Sequence, residues 1–330
     1  MKEREQNAAD AQVLAASRKR TRRSFVLAGA GALAGYGFYR WLDREPGDER
    51  LPKLLRRSLQ ANAAVSRKVF HEAALAPTYP LNQAETLRVN GVYGLKQELV
   101  PASYRLQLVG AAAAAQHGRF VSDVTAWQYE YAGKSSGDQG HDTKVDPKLA
   151  AAAAKSTPLS PKLDADTGRP ARGSEEAGQS FSTLNAGTPG LLLTLDDVLK
   201  LPRHELVTQF KCIEGWSQVV HWAGVRMADF LEAYPPEKTN GREPRYVYME
   251  TPDGDYYTGY DLHVCRHPQT LLVTEMMGAP LTQLHGAPLR LHMPTKYGYK
   301  QIKRIGLIAY TDSRPDDYWT ELGYDWYAGL

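Results

Sequence analysis

The sequence predicts an α+β protein built on mixed or antiparallel sheet. Three observations carry that reading. Strand-like segments outnumber helical ones, they arrive as hairpins rather than βα alternations, and no GxGxxG follows any of them, which argues against a dinucleotide-binding fold. The chain has 330 residues, 42% of them hydrophobic, enough for a sizeable core. Its formal charge is only +3, with no basic stripe interleaved with aromatics, so a nucleic-acid partner is not expected.

In chain order, the first segment reads as an address. "SRKRTRRSFVLAGAGALAGYGFYRWL" (17–42) places Arg18, Lys19, Arg20, Arg22 and Arg23 before an uncharged, Ala/Gly-rich run. Basic-then-apolar order is that of an export signal, and the paired arginines fit the twin-arginine pattern. Residues 1–42 are therefore expected to be an export signal or an uncleaved inner-membrane anchor, and the rest periplasmic. The run is shorter than the ~20 apolar residues that span a bilayer comfortably, so Arg40, Trp41 and Leu42 would have to extend it. Residues 43–83 read as a tether, with a helix around 51–75. A catalytic domain is expected over 84–330.

Within that domain "ETLRVNGVYGL" (85–95) and "ASYRLQLVG" (102–110) read as strands ending at glycine turns. Residues 111–180 hold two alanine runs and long Ser/Gly/Asp/Lys/Pro stretches, and read as an insertion in which only "RFVSDVTAWQYEYAG" can form structure. Thr194 is a good N-cap for a helix beginning at Leu195, with Asp196 and Asp197 in its first turn. "HELVTQFKC" reads as a strand, and "HWAGVRMADFLEAYPP" as a helix stopped by Pro235-Pro236. "RYVYMETPDGDYYTGYDL" is a hairpin turning at Asp253-Gly254, and "LRLHMP" and "IKRIGLIAYTD" are strands.

Two cysteines, Cys212 and Cys265, lie 53 positions apart with no CxxC, so neither a disulfide framework nor a zinc site follows. Cys212 can be a buried thiol, half of one isolated disulfide, a nucleophile or a metal ligand. Lys211 and Glu214 flank it at a strand-to-turn edge, where a soft thiolate could reach a transition metal. Downstream, "HGAPLRLHMPTKYGYKQIKRI" (285–305) concentrates Arg290, Lys296, Lys300, Lys303 and Arg304 around a glycine turn. Such a turn can cradle an anion through backbone N–H groups, and an arginine fork fits phosphate. A solvated basic edge is the plain alternative.

Three stretches in this order, "CIEGWSQVVHWAGVRMADFL", "HPQTLLVTEMMGAPL" and the 285–305 segment, resemble the sulfite-oxidase-like molybdopterin family. They are most similar to its exported branch that reduces methionine sulfoxide in periplasmic proteins. The resemblance covers roughly 84–110 and 187–310. It implies a mixed α+β catalytic domain of the sulfite-oxidase molybdopterin-binding type, a Mo-molybdopterin cofactor, and Cys212 as catalytic residue and molybdenum ligand. It further implies that Asn90, the Tyr93-Gly94 backbone, Thr251, His285, Arg290 and the Gln301-Ile302-Lys303 turn hold the cofactor, the last at its phosphate end.

The family's methionine-sulfoxide branch has Glu, Asn and Ser where this chain has Gly94, His285 and Gln301. "IEGWSQ" carries no arginine after the cysteine, and the next basic groups are His221 and Arg226. This favours a neutral oxygen donor, a sulfoxide free or protein-bound, over sulfite. The implied reaction is two-electron oxygen-atom transfer. Trp216 and Trp222 are expected either to wall the cleft or to pack in the core, and Glu214 either to shuttle a proton or to face solvent. Without a b5-type haem segment, electrons are expected from a separate partner, a membrane haem protein or a quinone-linked subunit. The alternatives are oxidation of sulfite or organic sulfur at the same cofactor, and a membrane-tethered binding module without metal.

Overall fold

The computed structural model describes residues 73–134, 184–315, 317–322 and 324–330, with isolated positions before them. Contacts divide the chain into Met1–Gln60 and Ala61–Leu330. In the first unit residues 31 and 34–37 are helical and exposed. The arginines of the export motif, the helix expected around 51–75, apart from isolated positions, and residues 135–183 lie outside the described residues. No helix among the described residues is long and apolar enough to cross a membrane.

The second unit carries two large sheets. One orders strands β3 (Phe120–Val121), β5 (Gly190–Leu193), β2 (Leu106–Val109), β13 (Leu307–Thr311), β8 (Tyr246–Glu250) and β9 (Tyr257–Asp261). Only its β2–β13 pair is parallel. The other is antiparallel, in the order β11 (Ala279–Pro280), β10 (Leu271–Met276), β7 (Ser217–Arg226) and β6 (Arg203–Lys211), with β12 (Arg290–His292) also on β10. A short ribbon pairs β1 (Gln97–Leu99) with β4 (Tyr131–Lys134). Helices are brief: α1 (Leu195–Leu199), α2 (Met227–Ala233), α3 (Leu262–Cys265) and α4 (Tyr318–Glu321). The mixed α+β class is as expected.

Several elements form as read. Thr194 caps α1 with a full capping box, its hydroxyl accepting the Asp197 N–H and the Asp197 carboxylate accepting the Thr194 N–H. The β8–β9 hairpin turns at Asp253-Gly254, with Gly254 at φ +68°.

Four readings are corrected. The helix expected from His221 begins only at Met227, because residues 221–226 complete β7. That strand is laddered on both edges by β6 and β10, so its residues 220–225 are all buried and lose the period-two signature. Residues 85–95 form no strand. Their carbonyls are taken by side chains instead: Leu87 by His285, Asn90 and Gly91 by Lys303, and Gly94 by Arg304. The strand read from Ile302 begins only at Leu307. Residues 111–134, taken as the start of an insertion, are tied to the core through buried Ala111 and Val124 and through β3 and β4.

The main core lies on the mixed sheet. A smaller cluster gathers Leu87, Phe210, Cys212, Val220 and Trp222, with Trp216 packed against it. The second cluster is where the candidate site stands.

Candidate active site

Cys212 follows the last rung of the β6–β7 ladder, Lys211 opposite Ser217. A tight turn carries it: its N–H donates to the Trp216 carbonyl (2.9 Å), and its carbonyl accepts the Gly215 N–H (3.1 Å). Gly215 sits at φ +91°, where a side chain would be strained. The Asn90 amide donates to Sγ (3.5 Å) and to Glu214 Oε2 (3.4 Å), which also accepts the Trp216 indole N–H (3.0 Å). Burial pushes the Cys212 thiol up, opposed by the Ile213 and Glu214 amides and by Asn90. These groups favour a thiolate once a cation is supplied.

The disulfide reading falls away. Both thiols are free, and Cys265 is fully buried on α3, its thiol pushed well up by burial. Among the described residues no histidine hydrogen-bonds Cys212, so no Cys–His pair of the kind a nucleophile uses is formed there. Nor does any group of three or more His, Cys, Asp or Glu among them fit a metal ion. A metal at Cys212 would take one protein thiolate and would have to bring its remaining ligands.

Near this sulfur stand two cations, Arg290 and Lys303, that pair with no carboxylate among the described residues. Arg290, on β12, is fully buried. Its Nη1 donates to the His285 carbonyl (3.1 Å), its face lies 4.8 Å from the Trp222 ring centre, and its Nε has no partner. Burial alone pulls it down to about 9. Lys303 Nζ donates to the Asn90 and Gly91 carbonyls, each at 2.8 Å. Burial, then the charge of Arg290, pulls it down to about 7, against the opposing pull of Cys212. Among the described residues the N–H groups of Lys303, of Arg304 and of Asn90 through Gly94 have no hydrogen-bond partner. Gly94 (φ +72°) lies against Thr251, whose Cγ2 would be 2.4 Å from an added Cβ. A buried, uncompensated guanidinium with an orphaned nitrogen, a half-buried lysine and unpaired amides are what an anionic cofactor would satisfy.

The sequence-derived residues therefore divide. Asn90, Cys212, Arg290 and Lys303 converge, with the backbone of Gly94. The Tyr93 ring turns to Tyr318 (5.1 Å) and Trp319 (5.7 Å). Thr251 Oγ1 donates to Asp253 (2.6 Å) and accepts the Tyr256 N–H, so it is spent inside the hairpin. His285 is spent too, its ring nitrogens on Thr282 Oγ1 (2.7 Å) and the Leu87 carbonyl (2.8 Å). Gln301 accepts from His292 (2.7 Å) and donates to the Lys296 carbonyl (3.0 Å), and Ile302 is fully buried. These last residues shape the loops that carry the site. Lys303, expected at the phosphate end, lies within electrostatic reach of Cys212. Trp222 is core, between Arg290 and the His292 ring (5.0 Å), while Trp216 stands at the rim. Glu214 is exposed and anchors Asn90 and Trp216.

Reading only the residues after the cysteine missed Arg88. The fold brings its guanidinium over Trp216, 5.4 Å from the ring centre. His221 and Arg226 are instead engaged with Glu205 and Asp229. No arginine follows Cys212 in the local stretch, but the fold sets one, Arg88, over Trp216.

His292 yields a pH prediction. Its Nε2 accepts the Thr208 hydroxyl proton (2.7 Å) and its Nδ1–H donates to Gln301, the tautomer following from the Gln301 amide. Burial drags it down to about 3. Between that value and about 6.5, the unfolded chain binds a proton that the folded chain does not, so stability rises with pH there and is lost on acidification. Urea midpoints should fall through this window. His292→Gln, less stable at neutral pH, should show a slope shallower by up to ~1.4 kcal/mol per pH unit. Equal slopes would mean that His292 is protonated in the folded state.

Residues 185–319 match the family model described as an oxidoreductase molybdopterin binding domain. The chain is 32% identical over 213 residues to the protein-methionine-sulfoxide reductase catalytic subunit MsrP of Xanthomonas campestris, covering 61% of this chain and 58% of that one. It is 33% identical over 159 residues to the MsrP of Campylobacter jejuni, covering 42% and 52%. It is 39% identical over 136 residues to a YedZ1 protein of Azospira oryzae, covering 41% and 50%. The chain thus spans about half the length of the curated relatives it matches. A solved sulfane dehydrogenase SoxCD chain of Paracoccus pantotrophus aligns at 19% identity over 38% of this chain and 36% of that one. Its TM-score of 0.35 is too slight to carry weight.

Proposed function

We propose that this chain, a molybdopterin oxidoreductase whose residues 185–319 form the molybdopterin-binding domain, is the catalytic part of a sulfoxide reductase. The observation that carries the cofactor is Arg290, a fully buried guanidinium with an orphaned Nε and no carboxylate among the described residues. An isolated buried charge costs several kcal/mol, and the anionic end of molybdopterin would remove that cost. Arg290, Lys303 and the free amides of 90–94 and 303–304 would hold the pterin, and Cys212 would be the one protein ligand to molybdenum. When bound, the cofactor supplies reversible two-electron chemistry and an acceptor for oxygen.

The protein's part is positional. Asn90 holds Sγ, Glu214 holds Asn90 and Trp216, and Lys303 holds a proton at Nζ close to the sulfur. A sulfoxide reduced here breaks its S=O bond and yields a thioether and water, consuming two electrons and two protons. The electrons would come from a separate membrane partner. The names of the MsrP relatives support protein-bound methionine sulfoxide as substrate. Arg22-Arg23 supports twin-arginine export to the periplasm.

Arg88, held over Trp216, and Lys303, within electrostatic reach of Cys212, favour a second reading, oxidation of sulfite at the same cofactor. Protein made in a molybdenum-replete host should contain about one molybdenum and one pterin per chain. It should turn over methionine sulfoxide with a reduced dye. Turnover of sulfite alone would decide for the second reading, and absence of both metal and pterin would leave a binding module.

A further inference from the structure

Arg88 has a defined place and, among the described residues, no charge partner. Its backbone is pinned, its N–H donating to Gln218 Oε1 (2.7 Å), while the neighbouring Glu85 N–H donates to the Val219 carbonyl (2.8 Å). Leu87, next to it, is buried in the cluster that contains Cys212, so the chain enters this rim on a fixed footing. The exposed guanidinium lies over Trp216, which stacks on Phe210 at 5.8 Å. Phe210 in turn fills the space against Gly298, where an added Cβ would fall 2.3 Å from its ring. Among the described residues no carboxylate pairs with Arg88. The nearest acid along this turn, Glu214, already accepts from Asn90 and Trp216.

A planar cation held on an indole loses little freedom when a carboxylate docks bidentately, and its outer edge remains open to solvent. We infer that Arg88 is a specificity-determining residue that selects sulfoxides carrying a carboxylate within a side chain's reach of the sulfur, a free amino acid or an acidic neighbour in a peptide. The inference rests on the proposed reading of the Cys212 site for the sulfur and on Arg88 and Trp216 alone for the carboxylate.

The test uses the cofactor-loaded protein without reductant, and reads binding by calorimetry or tryptophan quenching. N-acetylmethionine sulfoxide is compared with its C-terminal carboxamide. The wild type should bind the carboxylate about two- to fivefold tighter at low salt, the range of one exposed charge pair. Arg88→Gln should bring the two to parity, while Arg88→Lys should keep part of the difference. In the presence of reductant, the same ratios should appear in KM, with dimethyl sulfoxide unaffected. No preference in the wild type, an unchanged ratio in Arg88→Gln, or no binding of either ligand would overturn the assignment. If sulfite alone is turned over while the carboxylate preference depends on Arg88, the sulfoxide reading fails and the rim assignment stands.

Discussion

Cys212→Ala is expected to keep the pterin and lose turnover. The two functions fall to different groups. Retention belongs to Arg290, Lys303 and the unpaired amides at 90–94 and 303–304, none of which uses the sulfur. The turn itself survives the substitution, because its hydrogen bonds run through the backbone of Cys212, Gly215 and Trp216. Only the Asn90 contact at 3.5 Å is lost, and Asn90 keeps Glu214. Removing groups that merely orient a metal ligand typically costs about 10–100-fold, so removing the one proposed protein ligand should cost more, at least ~1,000-fold. Pterin fluorescence after denaturation should remain near one equivalent per chain, with an unchanged thermal midpoint to within a few degrees. Full activity in Cys212→Ala would place the metal elsewhere. Loss of the pterin would mean that the thiolate, and not the cations, holds the group.

That division of labour was only partly legible in the sequence. β6 could be read because β-branched and apolar residues mark it, and the end of that strand puts Cys212 on a turn. β7 could not, because a strand laddered on both edges buries successive residues and imitates one turn of an apolar helix. Residues 85–95 misled for the opposite reason. "ETLRVNGVYGL" has strand composition, but its carbonyls are claimed by His285, Lys303 and Arg304 from some two hundred positions away. No local pattern contains that competition. The residues carried over by resemblance met the same limit. A motif names positions, and only packing shows that the Thr251, His285 and Gln301 side chains are consumed in holding loops while Arg290 is left unpaired. Arg88 stood within the quoted segment throughout, and its nearness to Trp216 depends on β7 presenting Gln218 to the Arg88 N–H.

The Lys300–Asp317 pair, near the end of the matched domain, gives the second large effect. Asp317 and Lys300 form an ion pair with both side chains almost wholly buried. Asp317 also accepts the Gly259 N–H (3.3 Å) and caps α4 at Thr320 (3.4 Å). The Lys300 ammonium stands 4.7 Å from the Trp326 ring centre and 5.2 Å from that of Tyr260. The Lys300 and Tyr299 carbonyls accept from Tyr260 and Tyr256. Burial pulls Lys300 down even with Asp317 beside it, so the pair is held against desolvation. Asp317→Asn preserves volume and leaves the ammonium without its counter-charge, for which the expected loss is about 3–5 kcal/mol. Against a total stability of roughly 5–15 kcal/mol, that should lower the urea midpoint by about a fifth or more. Lys300 ends the turn that leads into Gln301, Ile302 and Lys303, so the damage should also reach the cofactor cradle and lower the molybdenum bound per chain. Replacing both partners, Lys300→Met with Asp317→Leu, should recover most of the stability, because two apolar side chains leave no charge stranded. A shift below ~1 kcal/mol in Asp317→Asn would mean that water reaches the pair. A double variant as unstable as the single one would assign the effect to the Gly259 and α4 hydrogen bonds instead.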